Sequence, residues 1–304
     1  MYRLLILLVL GGAAWISQGC SMKSVAVGMT ADIMMDGQAA MEEEQDLEFA
    51  ESSMPASIKM IEGLLKADPG NQDLLILMAK SYGGYAFAFM EDRYEALQED
   101  SPQKAKHFKQ KAERFYSRGK KYALQVLKYQ NWNFKESLSK DFQTFEKSLE
   151  GFSESDAPAL FWTAYNWGNW INLNLHSPEA IADAPKMEKL MSLVLQMNES
   201  FYFAGPHLFY GAYYGGRPPM LGGNLEKSKA HFEKALQLTD RKFLITHVLY
   251  AQYYAVQKQD QILFQKLLKE VLDAPDDIFP EQGMVTQLAK QKARRLSARQ
   301  GALF

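Results

Sequence analysis

The sole cysteine of this 304-residue chain, Cys20, closes the segment MYRLLILLVLGGAAWISQGC. Arg3 gives the segment a positive start, and its apolar run is too short for a comfortable membrane span, the layout of a secretory leader. With Gly19 before it, the Cys20 thiol is placed for diacylglycerylation, removal of residues 1–19 and acylation of the new amino group. Ser17 stands where such boxes carry Leu, with Ile16 one place early; export with an unmodified thiol is the competing reading. Two or three acyl chains, at about 0.8 kcal/mol per buried methylene, make a lasting anchor where one chain does not. Ser21 and Met22 follow, and the lack of Asp there favours outer-membrane sorting of a bacterial, periplasm-facing lipoprotein. A lone thiol also rules out an intramolecular disulfide.

Other reactive constellations are missing. His107, His176, His207, His231 and His247 make no HExxH or paired metal spacing, and neither a GxSxG nor a phosphate-cradling glycine loop occurs. No catalytic residue, metal ligand or cofactor is therefore assigned, and the expectation is a protein that is not an enzyme. What the chain does concentrate is aromatic rings, in FWTAYNWGNW (161–170) and FYFAGPHLFYGAYYGG (201–216). On a helix Phe161 and Tyr165 share a face, as do Trp162 with Tyr165 and Trp167 with Trp170. Rings on more than one face fit either a helix buried between neighbours or the wall of an apolar cleft for a ligand of low polarity. Phe209 and Tyr213 are open to the same two readings. In GGRPPMLGGN (215–224), Pro218, Pro219, Gly222 and Gly223 make a shaped loop, either an elaborate turn or a fixed structure at a channel mouth or subunit contact. Arg217 is its one charge able to grip a carboxylate in bidentate fashion.

These residues need a scaffold. The formal charge is −2 and the isoelectric point near 6.3, so no basic field speaks for nucleic acid. From Leu47 onward the periodicity is helical and strand-like alternation is scarce, which predicts an all-α domain over 47–304. Residues 20–46 read as a lipidated tether, whose acidic EEEQDLE (42–48) reads as solvated surface. The basic KQKARRLSAR (290–299) reads as a helix end suited to the dipole and to solvent.

Repeats appear inside that domain. Ser57, Ile61, Leu64 and Pro69 have the spacing of a tetratricopeptide second helix, and Leu75, Met78, Ala79 and Tyr82 that of the next first helix. Ala112, Tyr116 and Gly119 supply the partner, after a helix start at Ser101-Pro102. His207, Tyr210, Gly211 and Tyr214 pair with Ser228, Phe232 and Ala235 across the glycine-proline loop, with Asn224 as N-cap. His247, Tyr250, Ala251 and Tyr254, then Leu263, Leu267 and Pro275, form a full unit again. Stacked antiparallel pairs of this kind leave a face or cleft free to bind.

With the leader and these segments together, the chain resembles the T-component lipoproteins of tripartite ATP-independent periplasmic (TRAP) transporters. The resemblance runs through residues 47–92, ALFWTAYNWGNWINL (159–173), GPHLFYGAYYGGRPPMLGGNLEKSKAHFEKAL (205–236), LYAQYYAVQKQDQILFQKLLKEVL (249–272) and QLAKQKARRL (287–296). Asn224 replaces a common Asp and Ser228 a common Ala, and Thr286 or Gln287 stands near an expected Asn. The resemblance implies a repeat-like protomer that trimerises and carries an apolar channel or cleft. It also implies docking to a TRAP solute-binding protein and delivery of a poorly soluble ligand, a lipid-like acid among the candidates. A repeat scaffold without a ligand and an assembly factor of the cell envelope are the rival readings.

Overall fold

The computed structural model describes Met22 and residues 24–304; the leader and the Cys20 attachment site lie outside the described residues. Among the described residues every regular element is helical. Helix α1 covers 24–36, followed by α2 (Gln38–Glu43) and α3 (Leu47–Ala67). A continuous rod over 72–97 comprises α4 (Gln72–Tyr85), a π-helical stretch (Ala86–Glu91) and α5 (Asp92–Leu97). Next come α6 (Pro102–Gln130), the short α7 (Trp132–Ser137) and α8 (Phe142–Lys147), α9 (Ala157–Leu173) and α10 (Pro178–Met197). The C-terminal part has α11 (Phe201–Gly215), α12 (Leu225–Leu238) and a second π-containing rod, α13 (Ile245–Tyr250), Ala251–Ala255 and α14 (Val256–Lys258). It closes with α15 (Gln261–Asp273), α16 (Gly283–Ala298) and α17 (Gln300–Leu303).

Side-chain caps set many of the starts. Asp46 accepts from Glu48 N at 2.9 Å, Asn71 from Leu74 N at 3.0 Å, Asn224 from Lys227 N at 3.0 Å and Asp260 from Leu263 N at 2.9 Å. Each satisfies a backbone N–H that the helix leaves unpaired. Pro102 opens α6 as its fixed φ favours, but the Ser101 side chain makes no cap bond. Helix α3 buries Ala50, Met54, Ile58, Ile61 and Leu65, a stripe at three- and four-residue intervals.

Neighbours in sequence are neighbours in space: α3 lies on α4, α4 on α6, α9 on α10, and α11 on α12. Helix α9 also packs on α4, α6 and α11, so it is surrounded, which is why it tolerates rings all round. Small residues mark the closest approaches. A Cβ on Gly119 of α6 would stand 2.3 Å from Oδ1 of the buried Asn166 in α9. Asn166 cannot swing away cheaply, because its amide donates to Ala79 O at 3.1 Å and Trp162 O at 2.8 Å.

Both ends of the chain join this body. In α1, Val27 and Ala31 are core residues, while Val25, Met29 and Ile33 are exposed. The acidic run is not uniformly solvated: Glu42 pairs with Lys80, and Asp46 is a cap. The basic C-terminal segment differs more from expectation. Lys290 and Lys292 are buried, and Lys292 Nζ lies 2.6 Å from Glu95 Oε2 and 3.2 Å from Asp92 Oδ1. Arg295 Nη2 adds 2.7 Å to Asp92 Oδ1 and 2.9 Å to Glu95 Oε2. Carboxylates from α5, some 200 residues earlier in the chain, replace the solvent. No helix among the described residues is long and apolar enough to cross a membrane.

Gly119→Ala should lower the urea unfolding free energy by about 1–3 kcal/mol through overpacking against Asn166. Gly63→Ala, whose Cβ meets nothing within 4 Å in α3, should instead raise it by about 0.5–1 kcal/mol. Equal effects at the two positions would show that the α6–α9 approach is not tight.

Candidate functional site

A cavity of about 150 Å³ lies among the 72–97 rod, α9, α11, the 245–258 rod and α16. Phe161, Trp162 and Tyr165 of α9 border it, with Phe209 and Tyr213 of α11. The rings support one another: Phe161 meets Trp162 edge-on at 5.1 Å and stacks on Tyr165 at 6.0 Å, and Phe209 stacks on Tyr213 at 5.7 Å. Trp167 and Trp170, expected on the same wall, do not border the cavity. The Trp167 indole donates to Asp183 Oδ2 at 2.9 Å, and the Lys120 ammonium sits 4.7 Å from its ring centre and 5.3 Å from that of Trp170. Helix phase separates them: Phe161, Tyr165, Gly168, Asn169 and Asn172 share the cavity-facing stripe, and positions 167 and 170 fall outside it.

Two features were invisible in the sequence pattern. Both π-helical stretches reach the cavity, the first with Phe87, Ala88 and Glu91, the second with Tyr253. A π-turn widens the helix by a residue and re-aims the side chains after it, and such turns are frequent at functional sites. Glu91 is the one carboxylate on the cavity wall besides Glu42 at its edge, and it is only 8% exposed. Its Oε2 accepts a hydrogen bond from the Tyr116 hydroxyl. Burial, then the nearby Glu95 charge, pushes its carboxyl up to about 7, while the Tyr116 bond and the Lys292 charge pull the other way. Nothing in GYAFAFMED marks this glutamate in advance, because an acid before Asp-Arg looks like the first residue of a surface face.

At one edge of the cavity Glu42, Lys80 and Tyr202 also border an outer pocket formed with Phe203, Asp240, Lys242 and Phe279. Tyr202, Phe203 and Ala204 hold left-handed backbone with φ of 46°, 56° and 58°, a conformation costing roughly 1–2 kcal/mol per residue. Tyr202 is held there by Trp162 at 4.9 Å, Phe161 at 5.8 Å and the Lys80 ammonium 5.2 Å from its ring centre. Strain of this kind persists where surrounding contacts over-determine it.

The glycine-proline loop is shaped as its composition requires. Pro219 opens a single 3₁₀ turn, Gly222 takes φ 89°, and Gly223 N bonds to Pro218 O at 3.1 Å. A Cβ on Gly223 would come within 1.8 Å of Arg217 O. None of Arg217, Pro218, Pro219, Gly222 and Gly223 borders the cavity itself. Arg217 is buried, with its guanidinium 3.7 Å from the Tyr213 ring centre and Nη2 donating to Asn172 Oδ1 at 3.2 Å. It braces two wall residues from behind, and its Nη1 has no partner among the described residues. The loop instead presents Met220, 88% exposed, to the outside.

The family model for the TRAP transporter T-component matches residues 43–304. The chain belongs to that family. An uncharacterized protein of Treponema pallidum (strain Nichols) is similar to it, 26% identical over 261 residues that span 84% of this chain and 80% of the relative. Membership gives this T-component an accessory role in TRAP transport and an address at the periplasm or envelope.

An unfolded glutamate ionises near 4.5 and the folded Glu91 near 7, so between those values the unfolded chain binds fewer protons. The contribution of Glu91 to stability is therefore full below the lower value and lost as pH rises through the upper one. Glu91→Gln, which keeps an acceptor for Tyr116, should flatten that decline and exceed the wild type at pH 8 by up to about 3 kcal/mol. Parallel stability curves from pH 4.5 to 7.5 would show an ordinary carboxyl.

Proposed function

We propose that this T-component is a lipoprotein anchored through Cys20 after loss of residues 1–19, facing the periplasm from the outer membrane. Residues 20–46 link the anchor to a single domain at 47–304 and pack against it through α1 and α2, and the helix pairs stack in tetratricopeptide fashion. The domain docks a TRAP solute-binding protein, associates as a trimer, and holds a hydrophobic ligand in its aromatic cavity for hand-over. The observation carrying the ligand reading is that Phe161, Trp162, Tyr165, Phe209 and Tyr213 meet around one space. Rigid rings make a wall that does not collapse when empty, and low polarity removes competition from water. An apolar cavity of about 150 Å³ is known to admit a benzene-sized guest, so a slender chain suits this one better than a fused-ring molecule.

The exposed Met220 at the loop tip, on a backbone fixed by Gly222, Gly223 and the prolines, is the assigned protein contact. A rigid apolar tip loses little conformational freedom on docking.

Gly84 allows a direct test of the ligand reading, because it borders the cavity and a Cβ there would meet nothing within 4 Å. Gly84→Leu should keep the fold and its melting temperature or raise it, while abolishing co-purifying lipid and uptake of a hydrophobic dye. Undiminished uptake, or a wild-type protein that never binds any apolar probe, would leave the repeat scaffold as the better account.

The docking assignment has its own measurement. Met220→Asp should weaken capture of the cognate solute-binding protein from periplasmic extract at least tenfold without changing dye uptake. Unchanged capture would move the contact elsewhere.

A further inference from the structure

Apolar walls give affinity without telling one apolar molecule from another; discrimination needs a polar group inside. Glu91 sits on the wall at the C-terminal end of the first π-helical stretch. One of its oxygens is taken by the Tyr116 hydroxyl, and the other has no hydrogen-bond partner among the described residues. Tyr165 from α9 and Tyr253 from the second π-helical stretch border the same cavity, and neither hydroxyl is paired among the described residues. Both phenols are raised by burial first and by the Glu91 charge second, which places that carboxylate within electrostatic reach of each. Three separate elements thus contribute a carboxyl and two phenols to the wall of one aromatic chamber.

The surroundings decide which head group fits. Behind Glu91, Asp92 and Glu95 are matched by Lys292 and Arg295 in direct ion pairs. Two charges of each sign leave no surplus cation behind Glu91, and Lys80, the cation at the cavity's edge, is paired with Glu42. A carboxylate or phosphate entering here would meet a like charge wherever Glu91 is ionised, above about pH 7, and a low-dielectric wall magnifies that repulsion. A hydroxyl has no such difficulty. It accepts from a protonated carboxyl or donates to an ionised one, and its remaining capacity is met by the tyrosines.

We infer that Glu91, Tyr165 and Tyr253 form a head-group subsite for an uncharged, hydroxyl-bearing end of an aliphatic ligand and that Glu91 discriminates against anionic ends. The inference rests on the reading that the cavity holds an apolar ligand.

Three probes of one chain length separate the two: octan-1-ol, octanoate and 1-chlorooctane, titrated at pH 7.5 by displacement of a hydrophobic dye. Octan-1-ol should bind wild-type protein at least tenfold more tightly than octanoate. Glu91→Gln should hold octan-1-ol within about twofold and bring octanoate up by about tenfold. Glu91→Leu with Tyr116→Phe, which removes the polar pair together, should weaken octan-1-ol by about tenfold, in line with a lost hydrogen bond, and spare 1-chlorooctane. Circular dichroism establishes that both variants are folded; the glutamine variant carries the test if the double variant is not. Octanoate binding wild type as well as octan-1-ol does, octanoate unmoved by Glu91→Gln, or octan-1-ol and 1-chlorooctane weakened equally would each overturn the subsite. If no probe binds, 1-chlorooctane included, the ligand reading itself fails and the subsite with it.

Discussion

Lys292 is cut off from water and Arg295 largely so, and the architecture of the cavity follows from where their counter-charges lie. Asp92 and Glu95 stand on α5, at the end of the rod that carries the first π-helical stretch; the cations stand on α16, near the end of the chain. Removing either side of such a buried set would leave an uncompensated charge, a loss of roughly 3–5 kcal/mol where one partner of a buried pair is deleted. Hydrophobic replacements of similar volume could be as stable, so the ions are best understood as a constraint on register. They admit one placement of α16 against α5, whereas an apolar contact would tolerate sliding. With α16 pinned, Met284, Val285 and Leu288 close the cavity on one side, and Glu91, one residue before Asp92, is held on its wall.

The sequence read well wherever local spacing decides the outcome. Asn71, Asn224 and Pro102 begin helices where their chemistry places them, and the repeat-core positions Tyr82, Tyr116, Tyr210, Phe232 and Leu267 are all buried. The glycine-proline loop turned out shaped because its residues leave the backbone few options. Face assignments were harder. Nothing local says that α9 has neighbours on every side, so Trp167 and Trp170 could not be separated from Phe161 and Trp162 by type alone. Arg217 reads from sequence as a cation able to grip a carboxylate because its acceptor, Asn172, and its ring, Tyr213, are known only once α9 and α11 are side by side.

Long-range charge pairing and π-turns account for the rest. A basic decapeptide at a helix end is ordinarily solvated, and only the fold brings two carboxylates to it across some two hundred residues. An inserted π-turn shifts every later side chain by about a hundred degrees relative to an uninterrupted α-helix. Phase carried forward from α4 therefore puts Glu91 and Asp92 on the wrong faces. The residues that distinguish this cavity from a plain aromatic core are those that periodicity mislocates.

The strain at 202–204 sits where the cavity and the outer pocket meet. Tyr202 stands where the cavity meets the outer pocket, in a left-handed backbone that its contacts with Phe161, Trp162 and Lys80 keep in place. Three consecutive residues in that conformation store about as much free energy as a small ligand gains from a few buried methylenes. The ring contacts of Tyr202 are thus what offsets the cost of that backbone. Phe161 and Trp162 line the cavity and also brace Tyr202 at its edge, so the wall and the strained segment draw on the same aromatic contacts.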